Sequence, residues 1–274
     1  MANNILKGKR GIIFGALDSK SIAWKVAEHA HAEGAKFVLT NAPIALRMGT
    51  INELAEKTGS KVIAADATSM EDLKALYEVA MEKLGGKIDF VLHSIAMSVN
   101  VRKGRAYYEQ NYDWTMKGYD VSALSFHKTM QAAWELDALN QWGSVVGLSY
   151  IAAQRVFHTY NDMADNKAIL ESIARSFGYH YGVRRKVRVN TISQSPTATT
   201  AGSGVAGFDG FYKFSDDLAP LGNATSDDCA DYCISLFSDY TRKVTMQNLF
   251  HDGGFSFMGM SEEAMAIYMK DFRK

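Results

Sequence analysis

The sequence predicts an α/β protein: one doubly wound domain on a seven-stranded parallel sheet. Three observations carry that expectation. Short apolar runs alternate with longer segments of helical period from one end of the chain to the other. With 274 residues, 47% of them apolar and 22% charged, the chain can bury one large core, so a single domain spanning residues 1–274 is expected. No internal repeat and no charged low-complexity tail breaks the pattern.

The elements follow in order. The run GIIFG predicts the first strand at Gly11–Gly15, and a helix begins near Ser21, a residue suited to capping. KFVLT gives a strand at Lys36–Thr40, followed by a helix from near Thr50. KVIAA gives one at Lys61–Ala65, with a helix from near Met70. The apolar IDFVLH gives the fourth strand at Ile88–His93, then a helix from near Lys117. SVVGLS gives the fifth at Ser144–Ser149, with a helix from near Thr159, and VRVNTI the sixth at Val187–Ile192, with a helix from near Ser226. QNLFH closes the sheet at Gln247–His251. Two stretches break the alternation, and both follow strand carboxyl ends, where a doubly wound sheet holds its ligand. Met97 to Tyr112 is rich in aromatic and basic residues; Ser193 to Gly222 is rich in Gly, Ser, Thr and Ala, with Pro196 and Pro220, and is expected to form a substrate lid over 193–222.

Composition excludes several classes. Thirty basic residues balance thirty acidic ones, so no global field favours nucleic acid or an anionic membrane. The first residues, MANNILKGKRGIIFG, hold an apolar run too short for a secretory signal or a span, which predicts a cytoplasmic protein with no membrane partner. Cys229 and Cys233 lie one helical turn apart, yet no second pair at ligand spacing accompanies them, so they are expected in the core and no metal is expected.

The chemistry begins at Gly15. A strand ending in Gly and a helix starting near Ser21 and Ile22 form a strand–turn–helix able to hold a pyrophosphate on free N–H groups, with Ser21 adding a hydroxyl or simply capping the helix. The full G-x-G-x-x-G fingerprint is absent. After the second strand an acidic residue would indicate NAD and a basic one NADP; Asn41 and Ala42 supply neither, and Arg47 lies far along, so NADH is favoured with NADPH still possible. Asp66, with Ala67 beside it, sits where it can meet the adenine. The densest constellation is Tyr150, Tyr160 and Lys167. A seven-residue step on a helix turns about 700°, so Tyr160 and Lys167 are expected to share one site. Tyr, helped by a nearby ammonium, can donate to a developing oxyanion, and Lys suits ribose hydroxyls.

At these residues the chain resembles the short-chain dehydrogenase/reductase superfamily, and within it the enoyl-acyl carrier protein reductases of bacterial type II fatty-acid synthesis. Ordinary members of the superfamily place Lys four residues after Tyr, where this chain has Ala164; the enoyl reductases place it seven after, with a further Tyr ten before. Similar stretches span nearly the whole chain: Ser21-Ile22-Ala23, His93-Ser94-Ile95-Ala96, Asp120-Val121-Ser122-Ala123, Val187-Arg188-Val189-Asn190 and Asp252-Gly253-Gly254-Phe255-Ser256. The chain departs from the family at Asp165 and Asn166, where small apolar residues are usual, at Ser195-Pro196, where Gly-Pro is usual, and at Ala42, where Gln is frequent.

The resemblance implies a Rossmann-type reductase passing hydride to the β-carbon of a trans-2-enoyl thioester. Tyr160 would stabilise the enolate, Lys167 would hold the nicotinamide ribose, and Tyr150 would line the substrate pocket or deliver a proton. Ser94, Ile95, Ala96, Ile192 and Thr197 would meet the cofactor, and Val205, Phe208 and Phe211 would offer the acyl chain an apolar slot or else only hold the loop shut. Acyl carrier protein is the implied partner, with Arg102, Lys103 and Arg105 either meeting it or forming a solvated loop. A homotetramer is implied as well; the Met-rich end, with Met265 and Met269 one turn apart, fits it or packs within the subunit. Two alternatives stay open: a short-chain carbonyl reductase and a non-catalytic dinucleotide sensor.

Overall fold

The computed structural model describes residues 3–271. Its elements are β1 (Arg10–Phe14), α1 (Ile22–Ala32), β2 (Lys36–Asn41), α2 (Pro43–Met48), α3 (Ile51–Thr58), β3 (Lys61–Ala64), α4 (Met70–Leu84), β4 (Ile88–His93), α5 (Val99–Arg102) and α6 (Tyr112–Tyr119). A widened π turn, Asp120–Leu124, joins α6 to α7 (Ser125–Glu135). The chain continues with β5 (Leu139–Ser149), α8 (Asn161–Arg185), β6 (Arg188–Gln194), α9 (Phe208–Leu218), α10 (Ser226–Phe237), β7 (Asn248–His251) and α11 (Glu262–Asp271).

The seven strands form one sheet in the order β3-β2-β1-β4-β5-β6-β7, and every neighbouring pair is parallel. The expected doubly wound fold is therefore present. Alternate residues of the central strands feed opposite layers, as the two-residue period of a strand requires. Phe90 and Leu92 of β4 pack with Ala23, Val26 and Ala27 of α1 and with Cys229, Cys233 and Phe237 of α10. Val91 packs on the other face with Leu76 and Tyr77 of α4, Phe126 and Met130 of α7, and Leu170 of α8. Both cysteines are wholly buried in the first of these layers, and no cluster among the described residues is suited to a metal ion. No described helix is long and apolar enough to cross a membrane.

The order of strands reverses between β1 and β4, so their carboxyl ends open the crevice in which doubly wound sheets bind ligands. Gly11 allows these strands to pack closely: a Cβ there would sit 2.1 Å from the ring of Phe90. Two strands extend by two residues or more beyond the runs read from the sequence. β5 starts five residues before Ser144, through a bulge opposite Ile88 and Phe90 and with Trp142 at φ 66°. β6 runs two residues beyond Ile192, which moves the mouth of the crevice to Gln194.

Candidate active site

The turn after β1 is built around Gly15, at φ 94°. A Cβ there would lie 2.0 Å from the Ser94 carbonyl oxygen at the end of β4, so both conformation and space demand glycine. The turn then delivers the N-terminus of α1. Ser21 holds the cap position, but its hydroxyl stays within the turn, donating to the Asp18 carbonyl at 2.6 Å and accepting from the Leu17 N–H at 3.2 Å. No side chain caps the helix. The first amides of α1 stay open, a cradle for an anion at the positive end of the helix dipole.

Gly15, Ser21 and Ile22 line one side of a cleft of about 350 Å³. Ser94, Ile95 and Ala96 extend it from β4, Tyr150, Tyr160 and Lys167 form its floor, and Thr197, Val205, Phe208 and Phe211 close it from the segment 193–222. The site residues taken from the sequence thus come together with three exceptions. Ile192 is wholly buried in the core against α10, because β6 continues to Gln194 and the cleft begins there. Asp66 and Ala67 lie at the carboxyl end of β3 and are absent from the cleft lining; the Asp66 carboxylate accepts from the Thr68 N–H and hydroxyl, and Ala67 packs into the core. The structure adds Gln194, Ser195, Pro196 and the stretch from Thr199 to Gly202, small residues that carry no recognisable spacing.

Tyr160 reaches the cleft by a route the helical step did not foresee. It precedes α8 at the cap position, and Asn161 turns the chain at φ 40°, so Tyr160 lies off the helix that carries Lys167. The two still face one cavity. The ring of Tyr160 stands edge-on to that of Tyr150, with centroids 5.1 Å apart, and to that of Phe211 at 6.4 Å. Burial pushes the pKa of both tyrosines upward, so each keeps its proton throughout the working range. The Tyr150 hydroxyl is buried and has no hydrogen-bond partner among the described residues, a donor held ready for a ligand.

Lys167 is 6% exposed, and its ammonium donates to the Leu148 carbonyl at 2.7 Å. An ammonium carries three donors, so two remain for whatever fills the cleft. Burial lowers its pKa to about 8, against the opposing pull of Glu171 one turn along α8. Glu171 itself accepts from the Ser149 hydroxyl at 2.7 Å and the Gln154 amide at 3.1 Å. His93, at the end of β4, is pushed down to about 3 by burial and by the positive charge of Lys167, which leaves it neutral and no proton donor. The cleft therefore fits a nicotinamide dinucleotide: an open helix N-terminus for phosphate, a buried ammonium for ribose hydroxyls, and a protonated Tyr at the reacting end.

A family model described as Enoyl-(Acyl carrier protein) reductase matches residues 15–256. The chain belongs to the enoyl-(acyl carrier protein) reductase family. Among its members, the Enoyl-[acyl-carrier-protein] reductase [NADH] 1 of Rhizobium meliloti is 33% identical over 94% of both chains. The Rickettsia bellii enzyme, Enoyl-[acyl-carrier-protein] reductase [NADH] FabI, is also 33% identical, over 96% of this chain and 99% of its own. Among solved structures, the FabI-NADH complex from Alistipes finegoldii superposes with a TM-score of 0.94 at 63% identity, covering 96% of this chain and 93% of that one. The enoyl reductase of Bacillus cereus, solved with NADP+ and an indole naphthyridinone, has a TM-score of 0.87 at 30% identity, over 95% of this chain and all of its own. The family resemblance read from the Tyr–Lys spacing is therefore correct.

Proposed function

We propose that this chain reduces the carbon–carbon double bond of trans-2-enoyl thioesters carried on acyl carrier protein, with NADH as reductant. The observation that carries the reading is the meeting of Tyr160 and Lys167 in a cleft at the sheet's switch point, with the open end of α1 on one side and Val205, Phe208 and Phe211 on the other. NADH, when bound, supplies the hydride. Gly15 and the first amides of α1 would hold its pyrophosphate, and Lys167 its nicotinamide ribose. Arg47 does not line the cleft, and no basic side chain stands there beside Asn41 to pair with a 2′-phosphate, which supports NADH over NADPH.

The residues of the chain do the remainder. As hydride adds to the β-carbon, negative charge collects on the thioester oxygen as an enolate. Tyr160, protonated and edge-packed between Tyr150 and Phe211, donates a hydrogen bond to that oxygen. Lys167 adds positive potential from beneath and orients the reductant. Tyr150, with its unpartnered hydroxyl, lines the acyl side and is the second donor within reach. Segment 193–222 acts as the lid, and its Phe208 and Phe211 rings, 5.3 Å apart, offer the acyl chain an apolar wall that keeps water from the enolate.

Carrier protein meets the mouth of the cleft at Arg102, which lines it, and at neighbouring Lys103 and Arg105, exposed cations with no carboxylate partner among the described residues. A homotetramer in the cytoplasm completes the proposal. Helix α11 supports assembly, because Met265, Ile267, Tyr268 and Met269 are each about half exposed or more, in place of packing within the subunit. The substrate assignment is tested by following nicotinamide absorbance with crotonyl thioester and separately with acetoacetyl thioester. Oxidation of NADH with the first is expected; turnover of the second alone identifies a carbonyl reductase, and turnover of neither points to a dinucleotide sensor.

A further inference from the structure

One of the positions at which this chain departs from its family next to Lys167, Asp165, belongs to a clamp built around Asp162. Asp162, two residues after Tyr160, is wholly buried, and no cation pairs with it among the described residues. Its carboxylate accepts from the Ser98 hydroxyl at 2.6 Å and from the Asn100 side-chain amide at 2.9 Å. Asn100 in turn accepts from the Asn111 N–H at 3.0 Å and donates to the Thr115 hydroxyl at 3.0 Å, so both ends of the loop 98–111 are tied through one side chain. One turn along α8, Asp165 accepts from the hydroxyls of Tyr107 and Tyr119, each at 3.3 Å. Asn161 donates to the Arg105 carbonyl. Three side chains within five residues of Tyr160, those of Asn161, Asp162 and Asp165, thus grip the loop at four places, Ser98, Asn100, Arg105 and Tyr107.

That loop is a wall of the site. It leaves β4 through Ser94, Ile95 and Ala96, which line the cleft, and returns to it at Arg102. A buried carboxylate with only neutral partners is costly to maintain, and here its hydrogen bonds join the segment carrying the enolate donor to the opposite wall. We infer that Asp162 is a positioning residue that fixes the loop 98–111 against the start of α8 and so sets the width of the substrate mouth between Tyr160 and Arg102.

The inference rests on the enoyl-reductase reading for its kinetic test, and a proteolytic test keeps the two separable. Asp162→Asn keeps the size of the side chain but leaves one acceptor oxygen for two donors, the Ser98 hydroxyl and the Asn100 amide, and removes the charge that draws both. In the full-length protein, KM for crotonyl thioester is expected to rise at least tenfold, with kcat within threefold of the parent and NADH affinity within twofold. Cleavage by trypsin after Arg102, Lys103 and Arg105, all exposed, is expected to accelerate at least tenfold in the folded variant. Parent-like KM and cleavage overturn the inference, as does a loss of kcat with KM unmoved. Ser98→Ala, which removes one donor and leaves the carboxylate its other partner, is expected to move KM and cleavage in the same direction by a few-fold. If Asp162→Asn does not fold, a parent-like Ser98→Ala overturns the inference. A parent protein inactive on crotonyl thioester contradicts the enoyl reading alone, while the cleavage rates still decide the clamp.

Discussion

Replacing Lys167 by Met is expected to make the free chain more stable and its grip on NADH weaker. Burial brings the ammonium from an ordinary value of 10.5 to about 8, which corresponds to roughly 3 kcal/mol of unfavourable desolvation in the folded state. The substitution removes that penalty. It also strips the Leu148 carbonyl of its donor, a loss of about 1 kcal/mol, so a net gain of roughly 2 kcal/mol remains near pH 7. The sign has a pH signature. Because the folded pKa is the lower one, the penalty is full below about pH 8 and disappears as the pH rises towards 10.5, so the stability advantage of the variant shrinks over that window. Binding moves the other way: charge-assisted hydrogen bonds to ribose contribute about 1.5–3 kcal/mol, equivalent to a loss of affinity on the order of tenfold to a hundredfold. Urea unfolding of both proteins at pH 7 and pH 10, with NADH titration by fluorescence at pH 7, measures each part. Unchanged NADH affinity, or a variant less stable than the parent at pH 7, refutes the reasoning.

Tyr160→Phe is expected to slow the chemical step about a hundredfold to a thousandfold, the usual cost of losing an oxyanion donor, with NADH affinity little changed; single-turnover rates check it. A parent-like rate transfers the donor role to Tyr150. Tyr150→Phe removes a buried hydroxyl that has no partner and is expected to stabilise the free chain by about 1 kcal/mol, read from the urea midpoint. Gly15→Ala places a Cβ 2.0 Å from the Ser94 carbonyl at a left-handed φ and is expected to lower stability by more than about 1 kcal/mol and to abolish NADH binding, measured by melting and titration.

The sheet was legible because β1, β2 and β4 are apolar runs and β5 contains one; β4 lies at Ile88–His93 as read. What escaped the reading has local causes. The segment Leu139–Gly143 joins β5 through a bulge and an unusual backbone angle at Trp142, neither of which leaves an apolar pattern. Helix α9 lies inside the lid, where Gly210 and three aspartates mask a helix that turns Phe208 and Ser215 inward. In the site, Tyr150, Tyr160 and Lys167 were readable through their spacing, although Asn161 breaks the helical geometry first used to join them. Ile192 lies buried beneath the cleft lining because its strand ends two residues later than the apolar run suggests. Gln194 to Pro196 and Thr199 to Gly202 fall within the lid read as 193–222, but their place in the cleft lining was not legible, because a wall of mostly small side chains and backbone has no motif.

The claim that hydride reaches the β-carbon is tested most directly by isotope. With crotonyl thioester and NADH deuterated at the transferable C4 position, mass and NMR analysis of the product is expected to show butyryl thioester carrying one deuterium on C3. Deuterium on C2, or on a hydroxyl-bearing carbon formed from acetoacetyl thioester with crotonyl thioester left untouched, contradicts the account.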